Sequence, residues 1–117
     1  MSIEDEVRAF NDAFERALME QDVETLLGLY ADDAWLLLNG QPGMQGRAAV
    51  ETFVREWLAD GPVSTKFETA QTFASGDLVV DIGYLINDNG RGKYVVIHRR
   101  GPDGRLRILV DAPSRGA

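Results

Sequence analysis

Leu29-Tyr30-Ala31-Asp32-Asp33-Ala34-Trp35-Leu36-Leu37-Leu38-Asn39-Gly40, a Gln41-Pro42-Gly43 turn, Met44-Gln45 and then Gly46-Arg47-Ala48-Ala49-Val50 form the stretch on which the fold turns. It reads as the end of a helix, a strand and the start of a new helix. Tyr30 closes a helical face, and Asp32-Asp33 offer the turn chemistry that ends it. Trp35–Leu38 is a short, wholly apolar run bounded by turn residues, the pattern of a strand covered on both faces. Gly40 and Pro42-Gly43 stop that strand. From Arg47 the apolar positions Val50, Phe53, Val54, Trp57 and Leu58 return to helical spacing, and Asp60-Gly61-Pro62 ends the helix.

Toward the N-terminus, Ser2 can cap a helix with Asp5 at its third position, and acidic residues in the first turn suit the helix dipole. Ile3, Val7, Phe10, Phe14, Ala17 and Leu18 then mark one helical face over about residues 3 to 20. Asp22 caps a short second helix carrying Val23, Leu26, Leu27 and Tyr30. Toward the C-terminus the period becomes two, with Val63, Thr65, Phe67, Thr69 and Phe73 on one face. Turns at Ser75-Gly76-Asp77, Asp88-Asn89-Gly90 and Pro102-Asp103-Gly104 divide the remainder into strands of about 78 to 87, 93 to 100 and 105 to 112. Short links make them antiparallel neighbours. The order α-α-β-α-β-β-β-β, with helices early and a curved sheet to wrap them, is that of an α+β domain.

A chain of 117 residues fits one domain, residues 1 to 117, and such a domain buries roughly two-thirds of its unfolded surface. At 44% apolar and 26% charged residues the composition is that of an ordinary globular protein. Without cysteine, disulfides, thiolate metal sites and a cysteine nucleophile are excluded. The net charge of −7 works against attraction to phosphate backbones. The Arg99-Arg100, Arg105 and Arg107 cluster is a local exception. No run approaches a membrane span, and the acidic start Met1–Glu6 does not resemble a secretory signal, so a cytoplasmic protein without nucleic-acid or membrane partners is expected.

Asp22 before a Leu-rich turn, Leu29–Ala34, Gly46–Val50, Ser75-Gly76-Asp77, Gly92-Lys93-Tyr94 and Arg99-Arg100 leading to Asp103-Gly104-Arg105 together resemble the SnoaL-like and DUF4440 branch of the NTF2-like superfamily. The resemblance implies a cone-shaped α+β barrel enclosing a pocket, commonly as a homodimer joined through the sheet. The ketosteroid isomerases of that superfamily use a tyrosine on the first helix, an aspartate base after the first strand and a protonated aspartate on a later strand. Those positions fall on Phe14, Leu38 and Val96, which cannot supply a proton shuttle. In the SnoaL-type cyclases an aspartate on the last strand is general acid and base, and Asp111 is similar in place. The association domain of calmodulin-dependent kinases is similar over Val96–Arg100, with Val95 where its pocket carries arginine.

Asp111 ends the apolar run Ile108-Leu109-Val110, where burial would raise its pKa toward proton transfer; a strand-end ion pair is the plainer reading. His98, the one histidine, shares a face with Tyr94 and Val96 by alternation, and either meets a ligand or packs as a hydrogen-bonded core residue. Tyr94 and Tyr84 offer hydroxyls to fix a ligand carbonyl, or pack in the core or a dimer interface. Phe14, Trp35, Leu38, Phe53, Trp57, Val96 and Leu109 are candidates for an apolar pocket lining, and Asn39 for its rim. Asp81 is ambiguous because Gly83 obscures the phase of its strand. Asp32-Asp33 has no His or Glu partner at ligand spacing, so no metal is assigned. With no P-loop, dinucleotide turn, zinc motif or serine elbow, no cofactor is called for. The leading expectation is a homodimer that binds a small organic ligand. A cofactor-free cyclase or isomerase using Asp111, and an assembly module, are the alternatives.

Overall fold

The computed structural model describes residues 1–116. Three helices lie against one six-stranded sheet, an α+β architecture as the residue pattern predicts. α1 (Ile3–Glu20) starts where Ser2 Oγ accepts the Asp5 N–H at 3.1 Å and ends at Gln21, whose left-handed backbone returns its N–H to the carbonyls of Ala17 and Leu18. It buries Val7, Phe14, Ala17 and Leu18. α2 (Val23–Gly28) is capped by Asp22, which accepts from both the N–H and the hydroxyl of Thr25. α3 (Arg47–Trp57) follows Gly46, whose φ of 104° no other residue adopts without strain.

Sequence expectations fail at the opening stretch: the strand ends at Leu36, and Trp35 and Leu37 are exposed rather than covered on both faces. Tyr30 does not end a helix, and Asp32-Asp33 is not a turn: α2 stops at Gly28 and β1 runs Tyr30–Leu36. The cause is tertiary. β1 pairs in parallel with the last strand, placing Leu36 opposite Asp111, while Tyr30, Ala31, Ala34 and Leu36 are buried. The two aspartates point away from that core, where Asp32 pairs with Arg47 and Asp33 accepts two bonds from Arg99 at 2.7 and 3.1 Å. After β1 the chain doubles back as the short β2 (Met44–Gln45), which pairs antiparallel with it.

β3 (Thr65–Ser75), β4 (Leu78–Asn87), β5 (Gly90–Arg100) and β6 (Leu106–Arg115) form an antiparallel meander, and the sheet order is β2-β1-β6-β5-β4-β3. Two bulges set the phase of the inner face. Ala70 is skipped between the pairs Thr69–Gly83 and Gln71–Ile82, so Thr72 turns inward to Glu4 while Phe73, expected beside Thr65 and Phe67, lies outside and half exposed. Leu109 is skipped between the pairs Ile97–Val110 and His98–Ile108. The main core gathers Phe14, Leu18, Leu26, Tyr30, Leu36, Val50, Val54 and Ile108 between the helices and one end of the sheet. A smaller cluster of Val7, Val79 and Leu106 lies under the start of α1. No helix among the described residues is long and apolar enough to cross a membrane.

Candidate functional site

Between α1, α3 and the inner face of the sheet lies a cavity of about 810 Å³. α1 contributes Phe10, Asn11 and Phe14, and α3 contributes Thr52, Phe53 and Trp57. Phe67, Leu85, Tyr94, Val96, Ile108 and Asp111 come from the sheet, and Leu38, Gln41 and Met44 from the segment around the β1–β2 turn. Aromatic rings brace one another around the space. Phe14 meets Phe67 edge-on at 5.4 Å, Phe53 lies 5.3 Å from Trp57, and Phe67 meets Tyr94 edge-on at 5.8 Å.

Asp111 interrupts this apolar lining. Its Oδ2 accepts a 2.7 Å hydrogen bond from Tyr30 Oη, and no other described group bonds to its Oδ1. Burial raises the Asp111 pKa above the usual carboxylate range, and the Tyr30 hydrogen bond pulls part of that shift back. The same burial, with the neighbouring carboxylate, pushes the Tyr30 hydroxyl well above 10 and keeps it a donor. Two residues 81 positions apart thus make one unit.

A second carboxyl lies on the same inner face. Asp81 is 1% exposed, and its Oδ2 accepts from Tyr94 Oη at 3.0 Å and from Asn11 Nδ2 at 3.3 Å. Burial raises its pKa, against the hydrogen bonds of Asn11 and Tyr94. Gly83 makes this arrangement possible. A Cβ there would stand 2.3 Å from the Glu68 carbonyl oxygen and 2.7 Å from Tyr94 Oη, so only glycine lets the phenol lie across β4. The phase ambiguity around Asp81 is thereby settled inward, and the bulge sits opposite Gly83 at Ala70.

Of the residues singled out in the sequence, Asp111, Tyr94, Phe14, Leu38, Phe53, Trp57 and Val96 line the cavity. Five do not. His98 keeps the inward phase of Tyr94 and Val96 but lies beyond the cavity, fully buried with Phe10 edge-on at 4.5 Å and neither ring nitrogen bonded. Leu109 is displaced by its bulge, and Ile108 takes the lining place. Trp35 lies on the opposite side of β1 from the buried Ala34 and Leu36 and is 40% exposed. Tyr84 occupies the outer face of the sheet, in register with Glu68 and Lys93, under the Arg91 guanidinium. Asn39 borders a separate depression with Gln41, Asn87 and Arg91.

Three contributors lie outside the residues that the sequence assigns to the site. Asn11 carried a signal: it falls on the stripe of Val7, Phe14 and Leu18, where a polar side chain needs a partner inside. Spacing alone places Tyr30 in the preceding helix, and Gly83 hides the phase of Asp81. Among the described residues no three His, Asp or Glu side chains are grouped as metal ligands would be.

The SnoaL-like domain family matches residues 7–108. The chain belongs to that family. This SnoaL-like chain also has the NTF2-like fold of solved structures that share little sequence with it. A conserved protein from Planctomyces limnophilus DSM 3776 superposes with a TM-score of 0.81 at 17% identity, over 93% of this chain and 92% of that one. An NTF2-like protein of unknown function from Pseudomonas putida KT2440 gives 0.72 at 21% identity, over 99% and 89%. A protein from Catenulispora acidiphila in complex with S-DNPA gives 0.74 at 19% identity, over 95% and 91%. Among curated proteins none matches the sequence.

Proposed function

We propose that this SnoaL-like domain binds a small, mostly apolar organic molecule in the cavity between α1, α3 and the sheet. The observation that carries the reading is a lining of aromatic and aliphatic side chains around about 810 Å³, interrupted by few polar groups, the make-up of small-molecule sites in general. The neighbour from Catenulispora acidiphila, in complex with S-DNPA, supports a ligand-bearing use of this fold. N-phenylnaphthylamine, neutral and emissive only when shielded from water, is the probe. It is expected to bind and light up in the wild-type chain, and Ala49→Trp, at a further α3 position that lines the cavity, to weaken binding roughly tenfold or more. Equal binding by both chains sinks the reading.

A second reading rests on Asp111: a desolvated carboxyl with one oxygen held by Tyr30 and the other left to the cavity is placed to move a proton on a bound substrate without a cofactor. We further propose a homodimer formed through the outer face of the sheet, where Phe73, Leu78, Ile82 and Val95 are exposed together. Light scattering is expected to give twice the chain mass, and Ile82→Glu with Val95→Glu to give the monomer. A wild-type monomer at micromolar concentration would remove this proposal.

A further inference from the structure

The charged groups of the cavity carry one sign. Its described lining holds two carboxyls, Asp111 and Glu56, and no arginine, lysine or histidine. Arg91 and Arg115 border the neighbouring depression instead. Tyr94 gives its hydroxyl to Asp81 at 3.0 Å, and Asn11 gives its amide to Asp81 and Thr69, so neither is left to offer a donor to the space. With 19 acidic against 12 basic residues, the chain as a whole also draws cations and repels anions.

Asp111 is the carboxyl set deepest in apolar surroundings. It lies on the inner face of β6, in register with Val96 on β5 and Leu36 on β1, and no described cation pairs with it. Tyr30 holds Oδ2, and Oδ1 has no described partner. An ionised carboxylate so placed is costly alone, and a positive group brought beside it offsets that cost. The walls suit the same charge. Phe14, Phe53, Trp57 and Phe67 offer electron-rich ring faces, over which a cation is attracted, most strongly at tryptophan. Glu56 stands exposed on α3, where water and salt screen it, so it favours the approach of a cation more than it holds one.

We infer that the cavity takes a mostly apolar amine, with the ammonium group paired to Asp111 Oδ1 and the body held among the aromatic rings. The inference rests on the ligand-binding reading and narrows it to one class of ligand. The proton can arrive on the amine or on Asp111, and the complex is the same in either case: an ammonium beside a carboxylate.

Naphthylmethylamine, ethylnaphthalene and naphthaleneacetate share one aromatic body and carry a positive, a neutral and a negative end at neutral pH. Each is titrated against N-phenylnaphthylamine bound to the chain, and loss of the probe's emission reads its affinity. The amine is expected to displace the probe from the wild-type chain, and naphthaleneacetate to do so far more weakly. Asp111→Asn is expected to weaken the amine about 10- to 100-fold, the worth of a hydrogen bond between charged groups, and to leave ethylnaphthalene bound as before, which also shows that the variant is folded. Glu56→Gln should weaken the amine about two- to threefold at most, as for an exposed ion pair. An amine that binds the wild-type and Asp111→Asn chains equally, or a naphthaleneacetate that outcompetes the amine, overturns the inference and leaves the cavity a ligand site. Loss of the amine and ethylnaphthalene alike in Asp111→Asn means that Asp111 shapes the cavity, and overturns it too. A larger loss in Glu56→Gln than in Asp111→Asn moves the counter-charge to α3 and overturns the pairing with Asp111. Failure of the probe itself to bind removes the ligand-binding reading and this inference together.

Discussion

Asp111→Asn is expected to abolish most of any proton-transfer activity in the cavity, by roughly 10²- to 10⁴-fold, the range a positioned general base contributes. A surrogate reaction makes this measurable. In nitrobenzisoxazole a base removes the ring C–H proton, the electron pair forms the nitrile, and the N–O bond breaks to release a coloured phenolate. Asp111 would take the proton on Oδ1, while Tyr30, donating to Oδ2 at 2.7 Å, holds the carboxyl in position. Burial raises the Asp111 pKa above the usual carboxylate range, which makes the ionised form a stronger base than an exposed aspartate. The rate should therefore rise with pH through an apparent pKa above the ordinary value of about 3.9. Wild-type and Asp111→Asn chains turning the probe over at the same rate would remove proton transfer by Asp111.

The same unit shows where sequence reading succeeds and where it cannot. Local chemistry places α1, because Ser2, the acidic first turn and the stripe through Val7, Phe14 and Leu18 all agree. The glycine turns between the later strands are equally local. What fails depends on partners far along the chain. Tyr30 has the spacing of a helix residue after Val23 and Leu27, yet pairing with β6 draws it into β1 and onto Asp111. A bulge is one residue deep and leaves no composition cue, but it reverses every side chain beyond it. Ala70 thus sends Phe73 outward, and Leu109 yields its place to Ile108. Asp111 stands out in the sequence at the end of Ile108-Leu109-Val110 and by its likeness in place to the cyclases' aspartate, and its inward phase is set by pairing with Val96 and Leu36.

His98 governs a different response, in stability rather than catalysis. Its ring is fully buried against Phe10 with both nitrogens unbonded, and burial lowers its pKa to about 4 despite the nearby Glu6 carboxylate. The unfolded chain has the ordinary histidine value of about 6.5. Between those two values the unfolded chain takes up a proton that the folded one refuses, so the contribution is fully present above about pH 6.5 and is lost as pH falls toward 4. Over the whole window that is about 3 kcal/mol, a large share of a small domain's stability. Asp81 and Asp111 work in the opposite sense: with pKa values raised by burial, they favour the folded state at low pH and weaken it as pH rises through their window. Comparing the wild-type chain with His98→Met cancels those carboxyls and leaves the histidine. Urea melts at pH 7 and pH 5 should show the wild-type chain losing about 2 kcal/mol more than the variant. Parallel pH dependences would mean that His98 finds a proton acceptor in solution. A steeper loss in the wild-type chain means that mild acid weakens the sheet beneath α1 through a group that does not line the cavity.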